Sequence, residues 1–202
     1  MKFDWNAHRF SGGVLALDLA NTVIFRGDPE RSLDRFNDPV ELPRFAEAAA
    51  IFRTGEWGNV QFHPPLSQKG TEALIGIREV INSLFRCAVG EGSLQSGHLS
   101  TFLRLGADLV CNEPEGRDLR LPDLSEKKRD LSLGTAAFLS AMRLLDPARL
   151  ERIKACPNCY WLYLDESRNR SRRWCDMNVC GNRAKARRHY NRNVKQAGND
   201  HV

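Results

Sequence analysis

The chain has 202 residues, 42% hydrophobic and 27% charged, which is enough apolar material to bury a core and excludes a disordered or low-complexity polypeptide. No apolar run approaches the ~20 residues of a bilayer-crossing helix. The best N-terminal apolar stretch, from Val14 to Leu19, is short, is interrupted by Asp18 and has no small-residue cleavage site, so a cytoplasmic protein without membrane partners is expected.

In chain order, residues 17–24 form an apolar run too short for periodicity to separate helix from strand, and Gly27-Asp28-Pro29 breaks it. Pro43 suits the first turn of a helix over Glu41–Phe52. Residues 55–65, punctuated by glycine and proline, read as a connection. Leu74, Ile77, Ile81, Leu84 and Ala88 recur at helical spacing and predict a helix over about 67–89. Leu99, Phe102, Leu103, Leu109 and Val110 predict another over about 95–110. Residues 113–123 suit a loop or small hairpin. Leu131, Thr135, Phe138, Met142 and Leu145 predict a last long helix ended by Pro147. The expected fold is mainly α: a helical domain over residues 1–150, then a small module over 151–202.

The helical part offers little chemistry. It has no Gly-x-x-x-x-Gly-Lys phosphate loop and no Gly-x-Ser-x-Gly elbow, and its histidines are scattered, so no enzymatic activity is expected. Asp18 and Asn21, three residues apart, would share a helix face. They could bond a small ligand, or tether a neighbouring turn, which is the simpler role. Arg78, mid-helix among apolar neighbours, is a candidate partner for Asp18.

The six cysteines divide in two. Cys87 and Cys111 lie singly in apolar patterns and are expected to be buried free thiols. The other four form Cys156-Pro-Asn-Cys159, then Cys175, then Cys180 after four more residues. A two-residue gap lets two thiolates on one turn grip one cation, and a second pair fifteen residues on closes a tetrahedral shell. Disulfides are disfavoured in a reducing compartment. A thioredoxin-like site would need one pair on a βαβ scaffold, and neither ferredoxin spacing is present. One structural Zn²⁺ on Cys156, Cys159, Cys175 and Cys180 is expected, with no open position for chemistry.

Between the pairs, Tyr160 to Leu164 and Arg172-Arg173-Trp174 flank a polar turn and read as a short hairpin, with Trp161 and Trp174 packing inside it. After Gly181, Asn182 would cap a helix from Ala184 through Lys195, giving a treble-clef-like order. At 100° per residue, Ala186, Tyr190 and Val194 share an expected packing side, with Arg183 and Arg187 beside it. Lys185, Arg188, Arg192 and Lys195 fall within about 80° of one another on a different side.

Charge follows the same division. Thirty Lys+Arg against 25 Asp+Glu give +5, yet residues 167–195 hold ten basic side chains against Asp176 alone, a local +9 that leaves −4 elsewhere. Such asymmetry suggests a polyanion, nucleic acid before membrane. Candidate phosphate contacts are Arg168, Arg170, Arg172, Lys185, Arg188, Arg192 and Lys195.

Cys180-Gly181-Asn182-Arg183, preceded by Arg173-Trp174-Cys175 and the Cys156/Cys159 turn, resembles the CGNR zinc finger. In bacterial proteins described as stress-induced transcriptional regulators, that finger follows a region called the ABATE domain. Leu17-Asp18-Leu19-Ala20-Asn21-Thr22 is similar to that domain's Leu-Asp-x-x-Asn-Thr signature, so the resemblance spans nearly the whole chain. It implies a nucleic-acid-associated role without enzymatic activity. The resulting expectation is a zinc-containing transcriptional regulator that binds nucleic acid, DNA first, with a helical domain that dimerises or senses a small-molecule effector. The alternative is a zinc-stabilised interaction module docking an acidic protein partner.

Overall fold

A computed structural model describes residues 3–117, 119 and 128–199, with side chains in the last helix described through Arg192. The fold is mainly α, with three two-stranded ladders among the described residues. After a 3-10 turn, Ala7–Phe10, comes helix α1 (Leu15–Ala20), whose six side chains are all buried. Strands β1 (Val23–Ile24) and β2 (Leu33–Asp34) make a minimal antiparallel ladder. Thus the apolar run over 17–24 is mostly helix and ends as strand.

Helix α2 (Glu41–Phe52) carries Pro43 in its first turn, where a missing N–H costs nothing. The expected connection over 55–65 instead contains a short helix α3 (Thr54–Trp57) and strand β3 (Val60–His63). That strand pairs in parallel with β4 (Arg129–Ser132), from Val60 opposite Arg129 to His63 opposite Ser132. Leu131 therefore lies in a strand rather than in the helix its spacing suggested. Periodicity within one segment cannot report a partner so distant in sequence.

Helix α4 (Gln68–Glu91) begins at Ser67, whose Oγ accepts from Gly70 N at 3.1 Å, and ends at Gly92 in the left-handed region. Helix α5 (Ser96–Cys111) follows, and then α6 (Leu133–Met142), capped by Ser132 Oγ accepting from Thr135 N at 3.2 Å. Of α6, only Leu139 and Met142 are not buried, as expected of a helix apolar on every side. Gly106 of α5 sits against the Phe138 ring of α6; a Cβ there would come within 2.0 Å of that ring. The loop or hairpin expected over 113–123 lies partly outside the described residues.

The core gathers Leu15, Leu17 and Leu19 with Phe45, Trp57, Ile77, Ile81, Phe85, Phe102 and Ala137. It extends into the C-terminal segment. After α7 (Pro147–Leu150), strands β5 (Ile153–Ala155) and β6 (Leu162–Leu164) pair antiparallel. Ile153, Leu162 and Leu164 complete the helical core. A single π-helical turn, Met177–Gly181, leads into α8 (Asn182–Asn199).

Candidate metal centre

The hairpin differs in register from the expected one. Its two strands flank the Cys156–Cys159 turn, and the 172–174 segment forms no strand. Cys156 N donates to Trp161 O and Tyr160 N to Cys156 O, both at 2.8 Å, and Tyr160 takes φ 63° to close the knuckle. Alternation along the second arm then splits its side chains. Leu162 and Leu164 face the helical core, whereas Trp161 and Tyr163 join Cys156, Cys159, Cys175 and Cys180 in a second buried cluster. One hairpin is the wall between two cores.

The second cysteine pair is shaped by Asp176. Its carboxylate accepts from Asn178 N at 2.7 Å and Val179 N at 3.3 Å, and its carbonyl accepts from Cys180 N and Gly181 N at 2.9 and 3.1 Å. This wide turn explains how a four-residue gap returns Cys180 to the cluster. Asp176, rather than Asn182, is therefore the cap. A Cβ on Gly181 would fall 2.4 Å from Met177 Sδ, so a larger residue there would have to push the exposed Met177 side chain aside. Asn182 Nδ2 donates to Asn178 O at 2.9 Å and ties the start of α8 to the turn.

All four cysteines are buried and free, and their sulfurs lie within 4.8 Å of one another. Cys159–Cys175 and Cys175–Cys180 are separated by 3.4 and 3.6 Å. A tetrahedral ion with metal–sulfur bonds of ~2.3 Å requires sulfur–sulfur edges of about 3.8 Å, so the donor set fits one thiolate-bound ion. Asn158 Nδ2 approaches Cys180 Sγ at 3.5 Å, an outer hydrogen bond to a ligand atom. Cys87 and Cys111 stand apart from the cluster, and neither is buried: Cys87 is half-buried and Cys111 exposed, on the outer sides of α4 and α5.

The loop after β6 is held internally. Burial opposes ionisation of Asp165, but bonds from Lys154 Nζ at 2.6 Å and from the Ser167 hydroxyl and amide outweigh it and hold the carboxyl well below the usual range. Arg172 is not available to a ligand. Its guanidinium donates to the carbonyls of Ser11, Leu164, Trp174 and Cys175 and lies 4.8 Å over the Tyr163 ring. Burial pushes the Tyr163 hydroxyl up to about 12. That hydroxyl donates to Arg172 O at 2.8 Å.

The N-terminal signature packs against this module. Asn21 Nδ2 donates to Leu162 O at 2.8 Å and its Oδ1 accepts from Leu162 N at 3.0 Å, so one side chain serves both groups of a strand peptide. Leu164 N donates to Gly12 O, and Arg86 Nη2 to Tyr160 O at 2.7 Å. His8 Nδ1 meets Asp176 Oδ2 at 2.9 Å. Arg35, fully buried, places its guanidinium 5.2 Å from the Trp161 ring and 5.4 Å from the Trp5 ring.

The Asp18–Arg78 pair does not form. Asp18 bonds Arg53 Nε and accepts from Gly12 N, and burial raises its carboxyl to about 6 against the pull of Arg53. Arg78 instead grips Asp34 with two bonds, at 2.8 and 2.6 Å, and Glu79 with a third. Spacing placed both residues on buried faces but could not say which opposite charge each would meet.

The remaining candidate cations are on the surface. Arg168 is exposed, and Arg170 pairs with Glu151 at 2.9 Å. On α8, Ala184 is buried, and every other described side chain through Arg192 is exposed, Tyr190 at 69%. The expected packing side through Ala186 and Tyr190 therefore packs on nothing among the described residues, and Arg183 and Arg187 brace no core. Both join Lys185, Arg188 and Arg192 in solvent. Arg173, also exposed, has no ion-pair partner among the described residues and adds a cation to this surface. The side chain of Lys195 lies outside the described residues.

A knuckle hairpin, a wide turn and a helix start that bring four cysteines together define a small treble-clef-like metal-binding module. Residues 152–193 match the CGNR zinc finger family. Comparison with curated proteins and with solved structures finds no match for the chain. Among the described residues, no helix is long and apolar enough to cross a membrane.

Proposed function

We propose that this chain is a cytoplasmic transcriptional regulator that binds DNA through its finger, with one structural Zn²⁺ held by Cys156, Cys159, Cys175 and Cys180. Zinc suits four thiolates that leave no open position, and a closed shell supplies folding rather than catalysis. The observation that carries the reading is α8: a helix that starts at the metal centre, stands in solvent and carries Arg183, Lys185, Arg187, Arg188, Arg192 and Lys195 with no acidic residue. Such a helix can lie in a groove or along phosphates. The Leu-Asp-x-x-Asn-Thr signature at residues 17–22 supports a role among stress-induced regulators, as does the finger match.

The test is fluorescence anisotropy of a mixed-sequence duplex with the zinc-loaded protein across salt concentrations. The logarithm of affinity should fall with that of salt at a slope of about −0.9 per phosphate contacted. Arg188→Glu with Arg192→Glu should weaken binding at least ~10-fold and flatten the slope. Binding indifferent to salt, or untouched by the double variant, refutes the reading. If the zinc-loaded protein binds no duplex at all, the same cationic helix is left to an acidic protein surface.

A further inference from the structure

A cavity lies outside the finger, where the two parallel strands end. Strand β3 runs into α4 and strand β4 into α6, so both helices begin at the rim of one pocket of about 450 Å³. That volume is in the range of small-molecule sites, roughly 300–1,000 Å³. Ligands in open α/β sheets bind at the carboxyl ends of parallel strands for the same reason: helix amides and dipoles converge there.

Pro65, Ala73, Leu74 and Leu109 form an apolar wall, His63, Ser67, Asn112 and Ser132 add polar lining, and Leu66 stands fully exposed at the rim. The charges are unequal. Glu113, its side chain 5% exposed, is already taken: its Oε1 accepts from Ser132 N at 3.2 Å and its Oε2 lies 3.7 Å from Arg117. Arg117 also donates to Asp130 O. Lys69, in the first turn of α4 and lining the pocket, has no ion-pair or hydrogen-bond partner among the described residues. The 24-residue α4 adds the positive end of its dipole at the same place. His63 is paired with Asp130 at 3.0 Å, so the exposed Lys69 is the lining cation left without a partner among the described residues, beside the apolar wall.

We propose that this pocket binds a small organic carboxylate, its apolar body against Ala73, Leu74 and Leu109 and its carboxylate at Lys69 and the start of α4. This site is independent of the finger and of what α8 binds. It gives the effector expected of the helical region a location and a chemical class.

Isothermal titration of the zinc-loaded full chain tests it with phenylacetate, hexanoate, inorganic phosphate and phenethylamine. Both carboxylates should bind, and the phosphate and the amine should not. Lys69→Glu should weaken the carboxylates about tenfold or more. An acid in the first turn of a helix favours its dipole, so this variant should melt like the wild type. Ala73→Phe, which fills the chamber without touching charge, should abolish binding. No heat from either carboxylate, equal binding of the amine, binding of phosphate alone, or carboxylate binding unchanged by both variants would each overturn the assignment.

Discussion

The helical region stands on burial: Leu17, Phe45, Ile77, Phe85, Phe102 and Ala137 are wholly enclosed, and no ion is needed to hold them. On the cysteine side of the finger the buried cluster holds Trp161 and Tyr163 beside the four cysteines among the described residues, too little apolar surface to offset the entropy of ordering its loops. Coordination of a metal by the four cysteines would supply there what burial supplies elsewhere. Strand β6 belongs to both, with Leu162 and Leu164 on one side and Trp161 and Tyr163 on the other, so two sources of stability meet across one strand.

Removing the metal should separate them most sharply. Cys175→Ser gives up coordination worth roughly 10–16 kcal/mol in structural zinc sites. Circular dichroism and metal analysis should show α8 and the hairpin losing order, with the helical region still folded but melting lower because one wall has loosened. One zinc retained per chain would mean that the ligand set is wrong. Leu162→Ala attacks the other face of the strand. A fully buried leucine truncated this way costs about 2–5 kcal/mol, and chemical denaturation should register the loss in the helical region while zinc content stays at one.

Asn21→Ala tests the seam itself. It leaves both polar groups of the Leu162 peptide without their partner, at about 1–3 kcal/mol, and should make the finger amides exchange hydrogen faster than those of α4. Equal protection in variant and wild type would mean that the docking stands on apolar contact alone. The smallest effect belongs to Asp176→Ala, which removes the cap of the wide turn at about 1 kcal/mol. It should weaken metal retention against a chelator without lowering the melting of the helices.

Local signals were legible in the sequence. The cysteine spacing announced that four sulfurs would meet, because two short gaps fix each pair on one turn. Helices α2, α4 and α5 fall within a few residues of their expected bounds, because their caps and apolar periods are properties of the segment itself. The candidate cations were less legible. Arg168, Arg172 and Arg188 look alike in a basic stretch, yet Arg172 is spent on four carbonyls while Arg188 stands in solvent.

By itself, then, the sequence determined the helical class, the thiolate set and the cationic C-terminus, all of which depend on composition and on neighbours a few positions apart. Tertiary structure decided what depends on distant partners: the parallel pairing of β3 with β4, Asp18 meeting Arg53 rather than Arg78, Asn21 seated on the β6 backbone, and a last helix whose Ala186 and Tyr190 stay exposed. The physical reason is that a side chain's propensity travels with it, whereas the charge, carbonyl or ring it finally touches is set by how the whole chain closes.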